Sequence, residues 1–152
     1  MKMPKKPASS MKISGMARLI TTVSPASIAA GIRPDAWAEI ADPEARQARA
    51  LTAVYAHYRR NRVLLSVMAD ETSAEFAAVR EAGRPMLVHA HAVLGEGWPV
   101  SESARPRLLT AIAHAFSFWA WVSMTDLGLS DDEAAALMLD MVRGVVNSRD
   151  PT

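Results

Sequence analysis

The chain has no cysteine among its 152 residues. Disulfide frameworks and thiolate metal sites are therefore excluded, and a reducing cytoplasm is the expected setting. No apolar run approaches the roughly 20 residues of a helical membrane span, so no membrane partner is expected. There is no phosphate-cradling glycine loop. Gly95-Glu96-Gly97-Trp98 is too short, and no Lys-Ser/Thr pair follows it. There is no nucleophile elbow either. Aromatic residues make up only 6% and are clustered. Acidic residues are missing before Asp35, where Lys2, Lys5, Lys6, Lys12, Arg18 and Arg33 are the only charges. From Asp35 onward acidic residues outnumber basic ones, so the net charge of +1 conceals a mildly acidic body. Such a body lacks the basic face that a phosphate backbone requires, and no direct nucleic-acid contact is expected.

What is present suits packed helices. Half of the residues are apolar, and Ala, Leu, Val and Met dominate over β-branched and aromatic types. The length fits one domain, which buries roughly 70% of its unfolded surface. Residues 1–33 carry Pro4, Pro7 and Pro25 among scattered serines without a sustained period. They read as a poorly ordered basic tail. Ser27-Ile28-Ala29-Ala30 has the outline of a cleavage site, but the stretch before it is too polar for a signal peptide. The lysines are too few for a nucleic-acid arm.

Four helical segments are expected over residues 34–149. Asp42, Pro43 and Glu44 supply an N-cap, a first-turn proline and a charge that complements the helix start. Ala48, Leu51, Tyr55 and Tyr58 then recur on one face, with Arg46, Arg49, Arg59 and Arg60 mainly off it. Asn61 breaks or bends this helix. A second segment, from about Thr72 to Leu94, has the stripe Phe76, Val79, Gly83, Met86, Ala90 and Val93, with a kink expected near Pro85. The third runs from about Ser103 to Asp126 and is apolar nearly all round, which calls for burial on more than one side. The fourth starts at Ser130 and Glu133, a capping box, and carries Ala134, Leu137, Met138, Met141, Val142 and Val145. Two adjacent helices with such wide apolar faces suit a four-helix bundle shared by two chains.

The polar residues do not assemble chemistry. His89 and His91 are two apart, on different sides of a helix, and no metal site emerges from them with His57 and His114. Asp131, Asp132 and Glu133 read as a helix start. No cofactor is expected, and no nucleophile, base and orienting group come together, so the chain is not expected to be an enzyme. The hydroxyls of Tyr55 and Tyr58 lie on a buried face and need partners, from the protein or from a ligand.

Asp42 to Asp70, DPEARQARALTAVYAHYRRNRVLLSVMAD, resembles the start of the C-terminal domain of TetR-type transcriptional regulators. The residues that carry the resemblance are Trp37, Asp42-Pro43-Glu44, Arg46, Tyr55, Tyr58, Arg59-Arg60-Asn61 and Asp70. Leu127-Gly128-Leu129-Ser130 before the last helix is similar too. The resemblance implies an all-α helical bundle that binds a small molecule and dimerises. The family's DNA-reading domain would lie before Pro34, where the residues are too few and show no helix-turn-helix pattern. The expectation is a truncated regulator, a sensor half without its own reader. Candidate ligand-binding residues are Tyr55, Tyr58, Met86, His89, His114 and Phe118, for a small apolar or amphipathic ligand between the first three segments. Candidate residues for a homodimer interface are Phe118, Val122, Leu137, Met138, Met141 and Val145. The alternative is a regulatory interaction protein that forms mixed dimers with intact repressors of the same kind.

Overall fold

The computed structural model describes residues 31–70, 72 and 74–148, and the expected tail falls outside them apart from residues 31–33. Among the described residues there are six helices and no strand: α1 (Pro34–Ala38), α2 (Pro43–Asp70), α3 (Ala74–Gly95), α4 (Arg105–Ala115), α5 (Phe118–Asp126) and α6 (Asp131–Asn147). The fold is an all-α bundle. α2 runs through its middle and packs on α6, α3, α1 and α5. Leu51, Val54, Tyr55, Leu94, Leu108, Ile112, Trp121 and Val142 are fully buried at the centre.

Helix starts follow the sequence signals. The Asp42 carboxylate accepts from the amide of Ala45 at 2.7 Å. Ser130 and Glu133 form a reciprocal capping box on α6. The turn into α6 is built by Gly128, whose φ of 100° suits a residue without a Cβ. Its amide bonds the Thr125 carbonyl, and the Leu129 amide bonds that of Met124. This crossed pair satisfies carbonyls that the end of α5 leaves open.

Asn61 bends α2 by a definable route. Its backbone leaves helical geometry at φ −114°, ψ 17°. Its side-chain amide donates to the His57 carbonyl at 2.9 Å. The side chain thereby takes the acceptor that a regular helix reserves for the backbone N–H.

Two expectations are corrected. The third segment is two helices, α4 and α5, bent by 56° at Phe116-Ser117. Ser117 caps α5 in extended conformation, accepting from the Ala120 amide. α3 runs as one helix across Pro85. Pro85 and Glu81, whose carbonyl the proline leaves unpaired, are both exposed, so water meets the freed acceptor. Arg46, placed off the buried face, is only 5% exposed. Its guanidinium donates to the carbonyls of Ile40, Ala41, Val93 and Glu96. One side chain thus pins the α1–α2 link to the end of α3.

Candidate functional site

The bend between α4 and α5 is where the buried tyrosines act. Tyr55 Oη donates to the Ala115 carbonyl at 2.6 Å, and Tyr58 Oη donates to the Phe116 carbonyl at 2.5 Å. A helix end leaves such carbonyls without intrahelical partners. The two hydroxyls from α2 supply them, so their partners are backbone and not ligand. Burial pushes both phenols well above the ordinary tyrosine range, which keeps them as neutral donors. Tyr58 also meets Phe118 edge-on, with ring centroids 5.4 Å apart.

Beside this joint lies a cavity of about 380 Å³. Its walls come from the second half of α2 (His57, Tyr58, Leu65, Met68, Ala69), from α3 (Arg80, Leu87, His91) and from Ala113, Phe116, Ser117 and Phe118 across the bend, with Ile32 at one side. The size and the mostly apolar wall with a few polar groups fit a small-molecule site. Burial holds the His91 imidazole below its ordinary value, so it is neutral near pH 7 and both donates and accepts. His57 is nearly fully buried and lies close to Gly31, where any Cβ would strike its side chain. Arg80 is exposed and donates to the Met68 carbonyl at 3.0 Å.

The expected ligand residues divide among several places. Tyr58 and Phe118 line this cavity. Met86 and His89 line a separate depression against α1, where His89 pairs with Asp35 at 3.1 Å. Tyr55 is wholly buried beneath the cavity wall. His114 is exposed on α4 and lines neither of these two spaces. Arg80 and Leu87, which the sequence pattern did not single out, recur with His91 at seven and four residues along one face of α3. That face lies next to the buried stripe of Phe76, Ala90 and Val93, and it looks mixed and solvated in the sequence because an arginine and a histidine interrupt it.

The expected interface residues divide as well. Leu137 and Met141 are 44% and 48% exposed, and Trp119, not among the expected set, is 46% exposed. Phe118, Val122 and Val145 are half-buried against the core. Met138 is corrected: it sits inside the chain's own core at 4% exposure. Ala134, Met138 and Val142, at i, i+4 and i+8, face inward, while Leu137 and Met141 lie on the adjoining outer face.

Polar contacts elsewhere are structural. Arg59 and Arg62 stack over Trp121, 5.1 and 5.6 Å from its ring centroid. Arg59 pairs with Asp131, which also accepts from the Trp121 indole N–H. The Arg59 bond holds the Asp131 carboxyl below the usual range. Among the described residues no group of three or more potential ligands could hold a metal ion. No single described helix is long and apolar enough to cross a membrane. Compared with family models, curated proteins and solved structures, the chain matches none of them.

Proposed function

We propose that this chain is a TetR-like sensing and dimerisation domain that takes a small apolar or amphipathic molecule into the cavity between α2, α3 and the α4–α5 bend. The observation that carries the reading is the cavity itself: about 380 Å³, walled mainly by apolar side chains, with His57, His91, Arg80 and Ser117 among its polar residues. Phe118 links it to the outer face. It touches the cavity and Tyr58, and it begins the helix that presents Trp119 to solvent. A ligand that pushes on Phe118 therefore acts on the same short helix that would meet a second copy.

The direct test is two-part. Sedimentation of the purified chain at micromolar concentration is expected to give a dimer, and Leu137→Glu with Met141→Glu is expected to give a folded monomer. A wild-type chain that stays monomeric removes the dimer claim. A library of small apolar compounds is expected to raise Tm for some members, and to lose that effect when Leu65→Trp fills the cavity.

The exposed apolar set of Trp119, Leu137 and Met141 also favours a second reading, mixed dimers with an intact repressor of the same kind. Such a mixed dimer would compete with the repressor's own dimer and so weaken its binding to paired half-sites. Co-expression and pull-down decide it, and absence of the mixed species sinks it.

A further inference from the structure

His91 sits half-buried in the cavity wall, one turn beyond Leu87 on the same face of α3. Among the described residues its imidazole makes no hydrogen bond, ion pair or ring contact. The polar side chains beside the α4–α5 bend are engaged elsewhere. Tyr58 bonds the Phe116 carbonyl, Ser117 accepts from the Ala120 amide, and His57 meets Asn61. A neutral imidazole presents one N–H and one bare nitrogen. A ligand that fills the cavity strips water from that ring and has to replace its bonds, or the burial is costly.

A hydrocarbon cannot replace them. A hydroxyl can, because it donates to the bare nitrogen or accepts from the N–H, whichever tautomer is present. An ionic group gains little at this point. Burial keeps the imidazole uncharged, and Arg80 of the same wall lies eleven residues back, about 16 Å along α3 at about 1.5 Å per residue. The rest of the wall selects the body of the ligand. Tyr58, Phe116 and Phe118 bring aromatic rings to the space, and Tyr58 and Phe118 already meet edge-on. Such rings pair with a flat aromatic ligand in offset or edge-on geometry and gain beyond the area buried, whereas a saturated ring gains area alone. A space of about 380 Å³ accommodates a fused bicyclic compound.

We infer that the cavity takes an uncharged, hydroxylated aromatic molecule, with its hydroxyl bonded to the His91 imidazole and its ring against Tyr58, Phe116 and Phe118. This deepens the sensing role proposed above and rests on it.

Calorimetric titration of the full chain with 2-naphthol, 2-methylnaphthalene, decahydro-2-naphthol and 2-naphthoate, each below its solubility limit, tests the assignment. 2-Naphthol is expected to bind most tightly, about tenfold ahead of 2-methylnaphthalene. His91→Leu, checked for helical content, is expected to erase that preference without weakening 2-methylnaphthalene. His91→Gln, which restores a donor and an acceptor, is expected to recover part of it. A preference for 2-naphthol that survives His91→Leu, or its absence from the wild-type chain, overturns the bond to His91. Tighter binding of decahydro-2-naphthol overturns the aromatic body, and tighter binding of 2-naphthoate overturns the uncharged head; any of these results leaves the cavity as a sensing site. Absence of heat and of thermal stabilisation with all the probes overturns the assignment. If the apolar compound library is silent as well, the sensing role falls with it.

Discussion

Tyr58 on α2 donates its phenolic proton to the carbonyl of Phe116 at 2.5 Å, and that bond closes the end of α4 where the chain turns into α5. Tyr58→Phe keeps the ring and its edge contact with Phe118 but leaves a buried carbonyl without its donor. A loss of about 1–3 kcal/mol is expected, read as a lower urea midpoint at unchanged slope. Tyr55→Phe is expected to cost a similar amount through Ala115. The double variant should lose less than the sum, because both bonds hold one bend. Strict additivity would mean that the two carbonyls are satisfied independently.

The same pair sets the alkaline limit. Burial raises both phenols above their ordinary value near ~10. The unfolded tyrosines lose their protons first, so the folded state holds more protons above that pH. Stability is full below about 10 and falls as pH rises beyond it. Absorbance at 295 nm should show Tyr55 and Tyr58 ionising together with the loss of helical circular dichroism. Tyrosinate forming while helicity persists would contradict the burial of both hydroxyls.

Arg46 is expected to be the most sensitive single charge in the chain. Its removal takes a charged donor from four backbone carbonyls in two separate parts of the chain, of which Val93 keeps the Glu96 amide. Arg46→Met preserves most of the stem and should cost about 2–4 kcal/mol. Arg46→Lys should recover only part of this, because an ammonium cannot match a fork that reaches both sides of the joint. Thermal melts of the two variants check the order, and equal Tm values for wild type and Arg46→Lys would contradict it.

The fold was legible wherever the signal was local. Asp42-Pro43, Asn61 and Ser130 through Glu133 each mark a helix boundary or bend by chemistry contained within a turn. The α4–α5 bend was not legible, because its cause is tertiary. Ala115 and Phe116 sit in an apolar run that reads as uninterrupted helix, and the hydroxyls that satisfy their carbonyls come from residues 55 and 58. Arg46 was misread for the same reason, since its acceptors at Val93 and Glu96 lie far along the chain. The cavity was half legible. Tyr58 and Phe118 are aromatic and announce themselves, whereas Arg80, Leu87 and His91 share a face that only the neighbouring helices reveal as a wall.

Gln47 carries a testable anomaly. Its side chain is fully buried, and neither its oxygen nor its nitrogen has a hydrogen-bond partner among the described residues. Unpaired buried amides are costly, and Met has a similar shape without the polar atoms. Gln47→Met is expected to stabilise the chain by about 1–2 kcal/mol. Destabilisation by the substitution would instead indicate an ordered water bonded to the amide.

His91 gives the acid side of the stability profile a distinct window. Burial lowers it in the folded state, while the unfolded histidine takes up its proton near ~6.5. Between that value and the lower folded one, the unfolded chain binds more protons. Its contribution is therefore complete above about 6.5 and is lost as pH falls through the folded value. Glu44, Asp131 and Glu133 are lowered by bonds from Arg143, Arg59 and Ser130, and they act only below about 4.5. The two windows separate in urea titrations between pH 5 and 8. Wild type should weaken as pH falls across that range, and His91→Gln should weaken less. Parallel profiles would mean that water reaches the imidazole freely and that the histidine end of the cavity is open. A ligand lying against His91 should then steepen the wild-type profile further, because excluding water disfavours the imidazolium.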